Sequence, residues 1–405
     1  MKVFVSRFTF LLPLLGFYFV SYFVDLSIPS EIIIFARILA LIFCLITIFS
    51  FKFQFSKFQL FFVSFLTLYF LKLLNDVMYT NLDFGKSHLE TILFTLGITI
   101  IPAIAFLFSN VKRQFIFSGK YLYYGFNFLT IIALIANDND QGRLSGNSIL
   151  NPITVGHVAA SALLINLLYL FQWKKVNKNS FLLIAMFSLT SLLGLIFAAS
   201  RGPILAFVIS ILTYLVILKK ISFRFLIIIS TIFFLLGPII LHYSSKFGFA
   251  FSSRMHLDYK NTDSKSTEVR VFLWEKGINI FIENPILGKS TTTDQGYPHN
   301  FYIELLMSTG LVGLIIYLVP FIKALKNIPN HIKSENLYMK WLGLLFIQYL
   351  IGSLFSGTIY SNDFYWMFFA LLLSNPIKGL GQMSLKKISE KGLLSDLHLN
   401  HINKF

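Results

Sequence analysis

The chain has 405 residues, of which 56% are hydrophobic and 13% charged, with a mean hydropathy of +0.72. A soluble globular domain carries about twice that charged share, so these values exclude one and point to a chain that lives in a bilayer. The 34 Lys and Arg against 18 Asp and Glu leave a net charge of +16, and the placement of the basic residues explains that excess without nucleic acid.

A membrane-crossing helix needs about 20 apolar residues. Apolar runs between charged or turn-rich breaks predict spans at 8–25, 31–51, 58–75, 89–109, 120–137, 152–173, 180–198, 203–218, 223–243, 300–320, 340–358 and 362–376. The expected fold class is an all-α integral membrane protein with about 12 transmembrane helices in a single polytopic domain, 1–405. The first run has a basic start, Lys2 and Arg7, but no small-residue cleavage site, and is expected to be an uncleaved span. A single cysteine, Cys44, rules out an intrachain disulfide. Lys and Arg crowd the N-terminus, the breaks at 52–57, 112–120, 174–178, 219–224 and 323–340, and the tail at 377–405. By the positive-inside rule both termini are expected to be cytoplasmic.

On the opposite, outer face two connections are long: Asn137 to Asn151, and the large loop 244–298 between spans nine and ten. Loops of that length are usually functional. Within the second, Thr267 to Glu283 reads as a helix with Val271, Trp274, Ile278 and Phe281 at helical spacing, stopped by Asn284-Pro285. Arg270, four residues before Trp274, shares its face.

Of the twelve basic residues outside those cytoplasmic segments, few are near the membrane interior. Lys72 is expected to snorkel. Arg37 lies about two turns inside span two, deep enough to suggest a binding role. Arg201 stands in the tight turn Ala198-Ala199-Ser200-Arg201-Gly202-Pro203. There Ser200 is expected to cap the next helix, Gly202 to allow close backbone approach, and Pro203 to suit the first turn. Helix N–H groups and a guanidinium at one spot hold phosphate. Asn151-Pro152 and Pro298-His299 start two further helices on that face, so three helix N-termini are expected to open toward one side.

His299 and Asn300 sit where the loop re-enters the membrane, and a neutral imidazole accepts a proton from an alcohol. Glu304, Glu268 and Glu275 offer carboxylates. His256 and Asp258 have no third ligand at compelling spacing, so no metal site is expected. Phosphate-loop, nucleotide and zinc-protease motifs are missing from the sequence, and a substrate would arrive from the membrane or the outer side.

Three stretches, LIFAASRGPILAFVIS (195–210), EVRVFLWEKGINIFIENPILGKS (268–290) and YPHNFYIELLMSTGLVGLIIYL (297–318), with RLSGNSILNPITVGH (143–157), resemble the O-antigen ligase and O-antigen polymerase superfamily of bacterial polyisoprenoid-dependent glycosyltransferases. The resemblance implies a GT-C-like fold in the cytoplasmic membrane with its active site facing the periplasm. It implies transfer of an oligosaccharide from undecaprenyl diphosphate to a sugar hydroxyl, with inversion and without a metal or other cofactor if two guanidinium groups supply the charge. Carried over by position, Arg201, Arg270 and His299 would be catalytic, and Asn300, Arg143, Arg37, Trp274 and Glu304 would bind substrate. The partners it implies are the lipid-linked donor, a glycan or lipid A-core acceptor, the bilayer and a chain-length regulator. Ligases of the family often carry H-x-H-N where this chain has Tyr297-Pro298-His299-Asn300. That departure leans toward a polymerase of O-antigen or capsule repeats, with a ligase as the alternative and a lipid-linked oligosaccharide transporter or a noncatalytic partner as rivals.

Overall fold

A computed structural model describes residues 2–16, 18, 31–51, 55–80, 87–135, 144, 151–171, 178–219 and 262–375. The expected span at 223–243, residues 244–261 of the large loop and the tail 377–405 lie outside them. The described residues form helices α1 (Lys2–Leu11, continued by a π-helical turn, Leu12–Gly16), α2 (Glu31–Ser50), α3 (Lys57–Tyr79), α4 (His88–Phe106, with a π-helical segment Thr95–Ile100), α5 (Ser109–Ile135) and α6 (Pro152–Leu170). There follow α7 (Lys178–Phe197), α8 (Arg201–Ile217), α9 (Thr262–Glu283), α10 (Phe301–Ile332), α11 (Leu337–Gly352) and α12 (Asp363–Leu373). A lipid environment offers the backbone no partners, and helices satisfy it internally.

Among the described residues five helices are long and apolar enough to cross a membrane: Lys57–Tyr79, His88–Phe106, Pro152–Leu170, Asn179–Phe197 and Phe301–Ile332. Shorter apolar helices, among them α8, α11 and α12, complete the bundle. α12 is apolar all round and buried from Phe364 to Leu373, as a helix enclosed by its neighbours must be. Its Trp366 packs on Phe62, Phe65, Phe301 and Phe369. Since lipid tails are as apolar as the side chains, such close packing and interhelical hydrogen bonds hold the bundle. One such bond joins Asn166 of α6 to Asn127 of α5 at 2.9 Å.

Two expected cytoplasmic breaks are helical over much of their length, 112–120 throughout and 323–340 except at 333–336. Residues 112–120 form the first turns of α5, and Lys323 and Lys326 ride on α10, which continues to Ile332. Charge marked the end of an apolar run but not the end of a helix, since Lys112 is buried and donates to Ser374 O.

The expected span 300–320 is not a straight rod. α10 breaks at Gly310, whose φ of 61° and ψ of −158° are open essentially to glycine alone. Its limbs, 301–309 and 311–332, fold toward one another, so that Tyr317 meets the rings of Phe301 at 5.5 Å and Tyr302 at 6.2 Å. In a straight helix residues 16 apart stand about 24 Å apart.

The segment 285–290 threads the break and satisfies the backbone it frees. Leu311 N donates to Pro285 O at 2.8 Å, Val312 N to Ile286 O at 3.1 Å and Lys289 N to Met307 O at 2.8 Å. A Cβ on Gly310 would stand 2.5 Å from Ile286 O, and one on Gly288, at φ 62°, would collide with the Ser308 carbonyl.

α3 gives the scale of depth. Along it, Phe58 meets Lys323, Phe65 meets Tyr317, Tyr69 meets Glu304, Lys72 meets Gly288 and Asp76 meets Thr291. The second limb therefore runs antiparallel to α3, and the loop lies at the far end of α3. Lys72 does not reach for water as expected; its Nζ donates to Gly288 O at 3.3 Å. Buried Asp76 accepts from the Thr291 N–H and hydroxyl at 2.6 and 2.8 Å.

Gly310→Ala is expected to destabilise the protein by at least about 2 kcal/mol, read as a lower unfolding midpoint in detergent. Gly97→Ala, where an added Cβ meets nothing within 4 Å, is expected to leave the midpoint in place.

Candidate functional site

Three helix starts converge on the C-terminal end of α11. Gly352 lies against His157 of α6, since a Cβ there would stand 2.5 Å from the imidazole Cε1. Ser353 O accepts from Phe301 N of α10 at 3.0 Å. Phe355 lies beside Gly202 of α8, and Gly156 of α6 faces Pro203, 2.9 Å from where its own Cβ would be. The expected gathering of N-termini is thus present, held by residues 352–355.

The three ends differ in what they leave for a ligand. Asn151 caps α6, its Oδ1 accepting from Thr154 N at 2.9 Å. Asn300 caps α10, accepting from Tyr302 N and Ile303 N at 3.0 and 3.2 Å. With Phe301 N on Ser353 and Glu304 N on Asn300 O, the first four amides of α10 are satisfied. Ser200 occupies the N-cap position of α8 but makes no side-chain cap bond, contrary to the expectation. Of the three starts, the one carrying Arg201 is the one without a side-chain cap, and that end attracts an anion.

Two non-glycine residues beside this point adopt positive φ: Ala199 at 45° and His299 at 54°. Such strain gathers at functional sites when the surroundings enforce it. Around His299 they do, because Trp274 Nε1 donates to Pro298 O at 2.7 Å and Tyr297 lies against the imidazole, ring centroids 4.2 Å apart.

α9 supplies Trp274 and Arg270. It begins at Thr262, five residues ahead of the expected start, and a different stripe faces inward. Val271 and Ile278 are exposed, whereas Leu273 is buried and Gly277 faces Ile303 and Met307 of α10. Helical spacing alone allowed either stripe, and glycine at 277 marks the true contact. Arg270 and Trp274 do share the inward side, and Lys276 pairs with Asp294 at 2.7 Å to fasten α9 to the loop.

Arg201, Arg270, Tyr297 and His299 form one electrostatic unit. Burial, together with the like charge of Arg201, lowers the Arg270 pKa, with Tyr297 opposing the shift. Burial and the Arg270 charge push the His299 pKa down to about 4. His299 is therefore neutral at neutral pH and able to accept a proton. Tyr297, whose pKa burial and Glu304 raise, lies between the imidazole and Arg270 in this unit. The sequence offered it only as a departure from H-x-H-N.

The remaining expected residues lie apart or beneath. Glu304 is fully buried, with one carboxylate oxygen accepting from the Tyr69 hydroxyl and the other from Ile359 N at 2.9 Å. It ties α3, α10 and the segment before α12 together below Tyr297. Glu268 and Glu275 are exposed on α9. Arg37 interacts with Glu90, Asp363 and Tyr18 and covers the Phe94 ring at 5.4 Å. Arg143, His256 and Asp258 lie outside the described residues; buried Leu144, next to Arg143, donates its N–H to Phe197 O, four residues before Arg201.

Removing the Arg270 charge removes one of the two causes that depress His299. Arg270→Gln is expected to raise the His299 pKa from about 4 toward the ordinary imidazole range, so that the ring charges at a higher pH, as an imidazole NMR titration would report.

A model of the O-antigen ligase family matches residues 186–318. The range runs from within α7 to within the second limb of α10 and contains the turn at Arg201, all of α9 and the Tyr297–Asn300 segment. The match supports the likeness to the O-antigen ligase and polymerase superfamily. A search of curated proteins returns no match.

Proposed function

We propose that this multi-pass membrane protein is an inverting, metal-independent glycosyltransferase that takes an oligosaccharide from undecaprenyl diphosphate at the periplasmic face of the bacterial inner membrane. The observation that carries this reading is the pairing of two cations, Arg201 and Arg270, with a neutral imidazole beside a helix start that has no side-chain cap. The match to the O-antigen ligase family implies a lipid-linked glycan donor and an acceptor in a membrane.

In the step we propose, the acceptor hydroxyl oxygen attacks the anomeric carbon and the bond from that carbon to the phosphate oxygen breaks. The electron pair leaves with the diphosphate, and Arg201, Arg270 and the α8 amides take up the charge that develops there. The hydroxyl proton passes to His299. An imidazole with a pKa near 4 is a weak base, and the donor corrects this. Its diphosphate offsets the Arg270 charge and raises the His299 pKa, so the base strengthens only when the leaving group is in place. The acid limb of kcat, which reports the bound enzyme, is therefore expected at a higher pH than that of kcat/KM, which reports the free enzyme. Coincident limbs would break the link between donor and base.

Tyr297, in place of the histidine of H-x-H-N, favours a second glycan as acceptor, making the protein a polymerase of O-antigen or capsule repeats that works with a chain-length regulator. The family match supports equally the other reading, a ligase, for which we infer lipid A-core as the acceptor. Gene deletion followed by gel analysis of the surface polysaccharide separates them. A polymerase mutant caps its core with one repeat unit, and a ligase mutant accumulates long chains on the lipid carrier.

Arg201→Ala, Arg270→Ala and His299→Ala are each expected to abolish product with folded protein still in the membrane. Gly202→Ala is the finer probe. Its Cβ would meet only Phe355 Cβ, at an ordinary 3.6 Å, so a tenfold or greater loss of turnover at unchanged stability would report a ligand lying against the Gly202 backbone.

A further inference from the structure

At the end of the bundle opposite the candidate site, α1 and α5 begin side by side and enclose a pocket of about 390 Å³ with Phe51, at the end of α2. α3 shows that the two regions lie at opposite ends. Its Gln59 donates to Leu107 O, two residues before α5 starts, while its Asp76, 17 residues on, holds Thr291 of the loop. Those 17 residues span about 26 Å of helix.

Among the described residues the pocket is lined by Lys2, Arg7 and Arg113, by the amides of Asn110 and Gln114, and by no carboxylate. Gln114 and Ser6 are buried in its wall. Two of the cations are held over aromatic rings, Lys2 Nζ at 5.8 Å from the Phe51 centroid and Arg113 Cζ at 5.4 Å from that of Phe117. Cations placed this way do not swing freely in water. Three like charges around one pocket repel one another, and an anion among them relieves that repulsion. The mouth is flanked by exposed Val3, Phe4 and Phe117, which suit acyl chains. The same end carries Lys57, Lys323 and Lys326, the enrichment expected of a cytoplasmic face, whose leaflet holds the anionic lipids.

We propose that this pocket binds the phosphate headgroup of an anionic membrane lipid. It shares no residue with the candidate glycosyl-transfer site, so the two readings stand or fall separately. The shared chemistry is a phosphate held by Lys2, Arg7 and Arg113; the adjoining apolar rim is what distinguishes a lipid from free phosphate.

Lipid binding to the full-length protein in a zwitterionic detergent is measured by native mass spectrometry, with phosphatidylglycerol, phosphatidylcholine and inorganic phosphate as separate probes. Phosphatidylglycerol is expected to bind at least tenfold more tightly than phosphatidylcholine. Each basic residue near an anionic headgroup is worth about fivefold, so Arg7→Gln with Arg113→Gln should weaken phosphatidylglycerol binding about 25-fold. If inorganic phosphate binds as tightly as the lipid and the double variant loses both, the phosphate site stands and its source is the free ion. Equal binding of the two lipids, or phosphatidylglycerol binding that the double variant leaves intact, overturns the proposal. Should the double variant fail to fold, Lys2→Gln and Arg113→Gln are measured singly, each with an expected loss of about fivefold; no loss in either overturns it as well.

Discussion

The arrangement rests on one backbone crossing, where Gly288 of the loop passes Gly310 of α10 with no room for a Cβ on either. A transmembrane helix cannot simply end within the bundle, because its freed amides and carbonyls would lack partners. Here the loop supplies them, through Pro285 and Ile286 on one side and Lys289 on the other. The first limb of α10 is thereby released from the path of the second and folds back beside it, and its start, with His299, is set against Ser353. Asp76 and Lys72 of α3 secure the same loop from the opposite side.

The candidate site so formed gathers positive charge. Burial and the charge of Arg201 lower the Arg270 pKa, and burial and the charge of Arg270 lower that of His299, an arrangement of like charges that is unfavourable by itself. The helix starts differ in how they are held: Asn300 caps the start of α10, whereas the start of α8 has no side-chain cap. Tyr297 and Trp274 then keep the strained His299 backbone in place, Trp274 through the Pro298 carbonyl and Tyr297 through the ring.

Much of this was legible in the residues. Apolar runs located several helices to within a few positions, as at Lys57–Tyr79, His88–Phe106 and Asp363–Leu373, but missed the ends of Ser109–Ile135 and Phe301–Ile332 by more than two turns. The turn at Arg201, the helix of Arg270 and the start at His299 came together as their order and common face suggested. What escaped was whatever depends on contacts between distant segments. Gly310 looked like any glycine in a membrane helix, where glycine is common, and only the loop crossing it reveals the break. Glu304 read as an available carboxylate because nothing local announces Tyr69 or the Ile359 amide. Helical spacing set Val271, Trp274, Ile278 and Phe281 on one stripe but did not say which face of α9 turns inward, since exposed Val271 and Ile278 are as apolar as the residues that do. Asp76 carried a usable signal, a carboxylate in an apolar helix that must find a partner, but no clue to which one.

The most direct test of the crossing is a distance across the break. With the single native cysteine removed as Cys44→Ser, nitroxides placed through Tyr302→Cys and Tyr317→Cys report the separation of the two limbs by the dipolar broadening of their continuous-wave spectra. The two native rings lie 6.2 Å apart, so strong broadening is expected. Spectra without broadening would match an unbroken helix, in which residues 15 apart stand about 22 Å from each other, and would contradict the fold-back on which the site depends.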